Sequence, residues 1–202
     1  MLTEEKSTHI QPVTLTGSIV RLEPLSEQHV PDLFSAGNDA SIWLYMRYGT
    51  MESEADMRRW VQMLLNAQLG GTDLPFAVIH LKSGRAIGCT RYLEIDRHNR
   101  ALEIGGTWYG VDYQRTAVNT ECKYLLLQRA FEVLDMLRVQ FKADLRNLRS
   151  QKALERIGAV KEGVLRDHVI LPDGYMRSSV YFSILAREWP VVKARLLDKL
   201  SS

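Results

Sequence analysis

Residues 101–144 read ALEIGGTWYG VDYQRTAVNT ECKYLLLQRA FEVLDMLRVQ FKAD, and this stretch decides the fold. Ala101–Tyr109 has the composition of a buried strand, and Val118–Leu134 carries apolar residues at helical spacing over a broad face. Leu137–Asp144 then alternates between apolar and polar residues, which is typical of a second strand. A strand, a helix long enough for a crossover and another strand predict one parallel connection.

The sequence on either side of this unit predicts antiparallel strands. Leu74–Leu81 and Ala86–Ile95 are joined by a short polar turn, and a second turn leads into Ala101–Tyr109, so the three form a meander. Val160–Ile170 and Tyr175–Leu185 form a later hairpin across a Pro-Asp-Gly turn. A further strand is expected at 17–25, and helices are expected at 26–34, 53–69, 150–157 and 187–199.

Together these elements predict an α+β fold. Its sheet is mixed and mostly antiparallel, is flanked by helices, and has a parallel strand pair at its centre. Where an antiparallel meander meets a parallel crossover, we expect the two central strands to splay apart. Unpaired backbone N–H and C=O groups would then face a cleft, and an extended ligand could pair with them as an added strand does.

Composition excludes several classes of protein. The chain has 202 residues and 46% of them are hydrophobic, which is ordinary for a globular protein. Its 26 Lys and Arg nearly balance 24 Asp and Glu, which argues against a protein that binds nucleic acid through phosphates. Cys89 and Cys122 are too few for a disulfide scaffold. No spacing of His or Cys suggests a metal site, so no metal is expected.

The ends and apolar runs of the sequence predict its organisation and location. Residues 1–16 are polar and without periodicity, which predicts a flexible N-terminal arm before a single domain at 17–202. No apolar run approaches the ~18 residues of a membrane helix, and Glu4 and Glu5 lie where a signal peptide is basic. We therefore expect a cytoplasmic protein without membrane contact.

The turn Tyr113–Thr120 is the strongest local signal for a ligand. It lies between a strand and a helix, where successive N–H groups have no partner and the helix dipole adds positive potential. Small residues let a diphosphate approach the backbone, and Arg115 supplies a charge. The alternative is an ordinary connecting turn. No Gly-rich P-loop or dinucleotide motif is present.

A second signal is Asn147 and Ser150, directly after a predicted strand and at the beginning of a helix. Both residue types are good helix caps, which is one interpretation. The other is that they hydrogen-bond a ligand in the cleft of the sheet.

The order of these elements resembles that of the GNAT superfamily of acetyl-CoA-dependent N-acetyltransferases. The order is a strand, a Gln/Arg-x-x-Gly-x-Gly/Ala-like turn, a helix, a second strand and an Asn-x-x-Ser motif. The resemblance covers about residues 17–195. The Asp173-Gly174 hairpin and the late Glu188-Trp189-Pro190 are similar to the branch that contains ribosomal-protein N-terminal acetyltransferases. Three residues depart from the pattern, because Ala117 and Asn119 replace turn glycines and Leu154 replaces a tyrosine.

The resemblance implies a role for particular residues. Backbone groups of the central strand would bind the pantetheine arm of coenzyme A, the turn would bind its pyrophosphate, and the Asn-x-x-Ser motif would lie beside the pantetheine and the sulfur. The cofactor-binding residues are then Thr107, Trp108, Tyr109, Gln114, Arg115, Thr116, Ala117, Val118, Asn119, Asn147 and Ser150.

The resemblance also implies catalytic residues. Glu103 would remove a proton from the amine, usually through water, and a partly desolvated carboxylate has the raised pKa that suits this role. The alternative is a structural Glu103 paired with Arg91 or Arg100. Backbone N–H groups near Trp108 would stabilise the oxyanion. With Leu154 in the usual position of the proton donor, Tyr109 and Ser150 are the candidate substitutes.

The sequence therefore predicts an enzyme that moves acetyl from acetyl-CoA directly to a primary amine. The acceptor is either a protein N-terminus or a small amine. The alternative is a catalytically idle module that binds acetyl-CoA. The acidic cluster Glu52–Asp56 is too small to favour a polyamine. Alternating apolar residues in the late hairpin, together with the resemblance, predict a homodimer.

Overall fold

The computed structural model describes residues 10–201. Its strands are Leu15–Thr16 (β1), Val20–Pro24 (β2), Leu74–His80 (β3), Arg85–Asp96 (β4), Ala101–Tyr109 (β5), Arg138–Asp144 (β6), Val160–Ile170 (β7) and Met176–Leu185 (β8). Its α-helices are Val30–Ala36 (α1), Ala40–Trp43 (α2), Glu54–Leu69 (α3), Val118–Gln128 (α4), Leu148–Ile157 (α5) and Trp189–Ser201 (α6). A π-helical turn, Arg129–Val133, continues α4.

The strands form one mixed sheet in the order β1-β2-β3-β4-β5-β6-β8-β7. Within residues 10–201, β5 and β6 are the parallel pair and the other neighbours are antiparallel. The predicted α+β fold, with a mixed, mostly antiparallel sheet and a central parallel pair flanked by helices, is confirmed. In this part of the chain no helix is long and apolar enough to cross a membrane.

Both faces of the sheet are covered, because alternate residues of the central strands enter different cores. Phe76 and Val78 of β3 pack in the core beneath α4 and α6, whereas Ala77 and Ile79 pack in the core beneath α1 and α3. Side chains on a strand alternate between faces, so residues 74–79 of β3 are all apolar. We call these two sides of the sheet the α4 face and the α3 face.

The predicted helix boundaries follow their capping residues. The Ser53 hydroxyl accepts a hydrogen bond from the Asp56 N–H at the beginning of α3, and Gly70 follows the end of that helix. Gly158 ends α5 with φ of 98°, a left-handed conformation that glycine adopts without steric cost. The short helix α2 was not predicted.

The N-terminal segment differs in part from the expected flexible arm. Residues 1–9 lie outside the described residues. Within 10–16, however, Ile10 is buried and Leu15–Thr16 pair with β2. The adjacent turn is attached to α4 by the buried Glu121, whose carboxylate accepts hydrogen bonds of 2.7–2.8 Å from Ser18, Ile19 and Val20. These hydrogen bonds and the burial of Ile10 hold the segment after residue 10 against the domain.

Candidate active site

The parallel strands β5 and β6 splay apart and open a cleft through the sheet. Their pairing is limited to three positions, the last of which joins Glu103 to Gln140. Beyond that point β5 pairs with β4 alone and β6 pairs with β8. The resulting β5–β6 cleft has a volume of about 820 Å³, which suits a ligand larger than a metabolite of a few atoms.

A bulge in β5 shapes the wall of the cleft. The register of β4 and β5 shifts between Cys89 and Arg91, so that two residues of β5, Gly106 and Thr107, lie opposite Thr90. Gly106 has φ of 57°, and a Cβ there would come within 2.7 Å of Arg91 Nε. Glycine is therefore required both for the backbone conformation and for the close approach of Arg91.

The turn before α4 presents unpaired backbone donors. Thr116 Oγ1 donates to the Tyr113 carbonyl at 2.8 Å and accepts from the Val118 N–H at 3.3 Å. Within residues 10–201 the next two N–H groups of the helix, of Asn119 and Thr120, have no hydrogen-bond acceptor. Arg115 has φ of 63°, a backbone conformation that is uncommon for a residue other than glycine. This is the geometry of an anion site at a helix N-terminus.

Charge is concentrated in the cleft although the chain is almost neutral. Among residues 10–201, nine arginine and lysine side chains line it against two carboxylates, those of Glu103 and Asp144. Arg115 lies in the turn before α4 and Arg149 in the first turn of α5, while Lys152 and Arg156 follow along α5, the latter in its last turn. The net charge of +2 therefore conceals a strongly positive site.

The Asn-x-x-Ser motif acts as a helix cap and also reaches the cleft. Asn147 Oδ1 accepts a hydrogen bond of 3.0 Å from the Ser150 N–H, so the capping interpretation is correct for Asn147. Both residues line the cleft, and the Ser150 hydroxyl has no hydrogen-bond partner within the described chain. The cap and the predicted ligand contact are therefore compatible.

Glu103 lies at the closed end of the cleft and is only 4% exposed. Its carboxylate accepts hydrogen bonds from Lys142 Nζ at 2.9 Å and from Gln140 Nε2 at 3.2 Å. Burial raises the pKa of the Glu103 carboxyl, while the charge of Lys142 opposes this effect. The expected structural partners are wrong, because Arg91 pairs with Asp73 and Arg100 pairs with Asp135.

The other two candidate catalytic residues have different environments. Ser150 is half-buried, whereas Tyr109 is buried and its hydroxyl donates to Asn119 Oδ1 at 3.3 Å. Burial raises the pKa of the Tyr109 hydroxyl well above its ordinary value. The neighbouring Cys122 is also buried, and its pKa is raised to about 12, which agrees with a packing role.

Lys123 is a cleft residue that the sequence pattern did not identify. It lies on the buried side of α4 and is 5% exposed, and its Nζ donates to Thr107 Oγ1 at 2.8 Å and lies 5.7 Å from the Phe141 ring centre. No carboxylate of the described chain lies within ion-pairing distance of it. Burial lowers the pKa of Lys123 to about 8. A helical periodicity pattern assigns such a position to the core and does not distinguish a functional lysine.

Most of the predicted site residues meet in this one cleft. Those on its wall are Glu103, Thr107, Trp108, Tyr109, Gln114, Arg115, Thr116, Asn119, Asn147 and Ser150. Ala117 and Val118 are not on the wall, because Ala117 is exposed and the Val118 side chain is buried in the core. Their predicted contact would therefore have to be through the backbone. Within residues 10–201 no three His, Cys, Asp or Glu side chains could together hold a metal ion.

Comparison with known proteins agrees with this geometry. Residues 20–160 match the family model described as the acetyltransferase (GNAT) domain. A Bacillus subtilis (strain 168) protein named "Putative ribosomal N-acetyltransferase YdaF" is 34% identical over 109 residues, which is 54% of this chain and 58% of that protein, little more than half its length.

Two further relatives cover more of the chain. The ribosomal-protein-serine acetyltransferase of Escherichia coli (strain K12) is 24% identical over 82% of this chain and 93% of its own. A crystal structure of a GCN5-related N-acetyltransferase from Brucella melitensis superposes with a TM-score of 0.87 and 30% identity, over 94% of this chain and 86% of that one. Because the family model spans well over half of the sequence, the chain belongs to the GNAT family of acetyltransferases.

Proposed function

We propose that the protein transfers acetyl from acetyl-CoA directly to a primary amine. One observation carries this proposal: the β5–β6 cleft joins an unpaired helix N-terminus on the α4 face to the buried carboxylate of Glu103. An anionic, extended coenzyme fits the first feature, and an amine that must lose a proton fits the second.

The residues of the cleft suit coenzyme A. The free N–H groups of Asn119 and Thr120, with Arg115 beside them, would bind the pyrophosphate. The edge of β5 from Thr107 to Tyr109 would hydrogen-bond the pantetheine arm as a strand does, and Asn147 and Ser150 would lie opposite. A Mycobacterium smegmatis RimJ of the same fold has been solved in complex with CoA-disulfide, which supports this ligand class.

The chemistry needs a base and a stabilised leaving group. The acceptor ammonium loses its proton to Glu103, directly or through water, and the free amine attacks the thioester carbon. Backbone N–H groups near Trp108 stabilise the oxyanion that forms. The attacking nitrogen loses its second proton to solvent, the C–S bond breaks, and coenzyme A leaves as a thiolate, whose charge Lys123 would stabilise from the α4 face. Tyr109 and Ser150 are the candidates to protonate it.

The departures at Ala117, Asn119 and Leu154 favour a second candidate, an idle module that binds acetyl-CoA without turnover. A thiol leaves with a pKa near 8.5, so loss of the usual tyrosine does not by itself prevent the reaction. The carboxylate of Glu103 and the buried Lys123 support the enzyme over the module.

We also propose that the protein is a homodimer in the cytoplasm. The contact between the two copies would use exposed apolar residues of β7, such as Val164 and Ile170.

The test is release of coenzyme A thiol from acetyl-CoA in the presence of a panel of small amines and peptides with free N-termini. The enzyme predicts thiol release with one acetylated product per thiol, identified by its mass. Binding of acetyl-CoA without release for any amine would identify the idle module, and absence of binding would contradict both.

A further inference from the structure

The acceptor half of the cleft contains two arginines that the proposed reaction does not use. Leu102 and Ile104 pack on the α4 face, so the alternation of β5 directs Glu103 to the α3 face. The cleft opens on that face between the loop after α2, which contributes Arg47, and the beginning of β8, which contributes Arg177. The two arginines therefore lie on the same side of the sheet as Glu103, away from the anion site at α4.

In the described chain, Arg177 is a buried cation that no carboxylate contacts directly. It is 9% exposed, and its Nη1 donates to the Tyr45 carbonyl at 3.2 Å. Its buried Nε has no hydrogen-bond partner, and within residues 10–201 no carboxylate lies within 4 Å of the guanidinium. A guanidinium removed from water is costly unless it is paired, so this geometry is that of a site that awaits an anion.

The charges around Arg177 strengthen this conclusion. Arg47 is exposed and has no ion-pair partner in the described chain. Burial lowers the pKa of Arg177, the negative charge of Asp144 opposes this effect, and the positive charge of Arg47 adds to it. Asp144 acts on Arg177 through its charge without an ion pair, and both of its carboxylate oxygens are already bound by Arg146. Arg91 and Lys142 have carboxylate partners in Asp73 and Glu103, so Arg47 and Arg177 alone lack one among these cations.

Acidic residues that would attract a cationic acceptor lie elsewhere. Glu54 and Asp56 pair with Arg58 and Arg59 on the surface of α3 and do not line the cleft. A polyamine would therefore meet two unpaired arginines instead of an acidic pocket.

We propose that Arg47 and Arg177 bind a carboxylate of the acceptor, which defines the acceptor class as primary amines that carry a carboxylate. The inference rests on the proposed acetyl transfer and adds its substrate class. The carboxylate belongs either to a free amino acid or to an acidic side chain near a peptide N-terminus. The guanidinium fork suits such a group, because Arg binds a carboxylate through two parallel hydrogen bonds.

The experiment compares acids with their uncharged amides. One pair is alanine and alaninamide, and the other is the peptide amide Ala-Glu-Ala and its Gln counterpart. A charged, two-point contact predicts that the acid of one pair has a kcat/KM about 10- to 100-fold higher than its amide. The pair that shows the preference identifies the source of the carboxylate. The preference should decrease with added salt, since Arg47 is exposed.

Variants assign the preference to the two arginines. Arg47→Gln should reduce the acid-to-amide ratio toward one, and Arg177→Lys should reduce it while keeping a charge in the site. Arg97→Gln is the matched control, because it removes an exposed arginine from the β4–β5 turn outside the cleft. Both site variants should keep their affinity for acetyl-CoA, measured by calorimetry.

The outcomes separate the inference from the proposed function. If the amides are acetylated with a kcat/KM equal to or higher than that of the acids, the inference is overturned and acetyl transfer stands. A loss of acetyl-CoA affinity in Arg47→Gln would have the same two consequences. If no member of either pair is acetylated, calorimetry of the acetyl-CoA-loaded protein with the four compounds decides. Tighter binding of an acid supports the inference, and equal or absent binding overturns it. Failure to bind acetyl-CoA would overturn the proposed function and the inference with it.

Discussion

Replacement of Lys123 by Met should stabilise the fold and slow the reaction. The Met side chain is unbranched, apolar and one atom shorter than that of Lys123, so it fills most of the same buried space beside Phe141 without the charge. Burial lowers the pKa of Lys123 from 10.5 to about 8, so the folded state disfavours the charged form that the unfolded chain carries. A lysine with a depressed pKa therefore costs stability, in full below about pH 8 and progressively less as the pH rises toward 10.5.

The pKa difference sets the size of the effect. At pH 7 it corresponds to about 3 kcal/mol, and near pH 9.5 to about 1 kcal/mol. Loss of the hydrogen bond to Thr107 removes about 1 kcal/mol in the opposite direction. Lys123→Met should therefore raise the free energy of unfolding by about 2 kcal/mol at pH 7 and leave it almost unchanged near pH 9.5.

The assay is urea denaturation of the wild type and the variant at both pH values, with thiol release measured on the same preparations. Lys82→Met is the control, since Lys82 is exposed in the β3–β4 turn and its replacement should change stability by less than about 0.5 kcal/mol. If Lys123 stabilises the leaving thiolate, turnover should fall at least about tenfold. A destabilised variant, or a stability difference independent of pH, would refute the assigned burial of the charge, and wild-type turnover would refute its catalytic role.

Four further measurements test the proposed base, the coenzyme site, the packing of Glu121 and the oligomeric state. Glu103→Gln should lower turnover by a factor of ~10² to 10⁴, with little change in acetyl-CoA affinity and with partial recovery at high pH. Because the pKa of Glu103 is raised, the acid limb of the wild-type pH–rate profile should lie above pH 4.5, and an unchanged rate of the variant in stopped-time assays would remove Glu103 from the mechanism. Ala117→Trp should cover the free N–H groups at α4 and abolish the rise in melting temperature caused by acetyl-CoA, whereas Ala117→Gly should retain it; equal shifts would place the coenzyme elsewhere. Glu121→Ala should cost about 2–4 kcal/mol in chemical denaturation, because three buried or half-buried backbone N–H groups lose their acceptor; a loss below about 0.5 kcal/mol would contradict this. Light scattering at micromolar concentration should give twice the monomer mass, and the monomer mass would contradict the dimer.

The fold was predictable because its signals are local. The alternation of residues 137–144, the periodicity of 118–134 and the polar turns fix the type and order of the elements, and the chirality of the crossover leaves one parallel pair. Ile10 and β1 could not be foreseen. A two-residue strand has no period, and the turn that follows it is held by hydrogen bonds donated to Glu121, about a hundred residues away.

The two helix beginnings that line the cleft were also predictable, because their signals are local in the sequence. The turn at 113–120 and the motif at 147–150 each lie at the beginning of a helix, where unpaired N–H groups are dictated by helix geometry. The position of the two arginines could not be predicted, because Arg47 and Arg177 are 130 residues apart in sequence and line the same cleft only in the folded chain. Lys142, the partner of Glu103, is 39 residues from it in sequence, and the parallel register of β5 and β6 brings the two together.

Amide hydrogen exchange with and without acetyl-CoA can locate the coenzyme, which we propose to lie in the β5–β6 cleft with its pyrophosphate at the beginning of α4. We expect slower exchange in two segments, 104–109 of β5 and 117–120 at the beginning of α4, because their free N–H groups gain acceptors. The edge strand β7 should exchange at the same rate in both states. Protection confined to other segments, or no protection at saturating acetyl-CoA, would show that the coenzyme does not bind in this cleft.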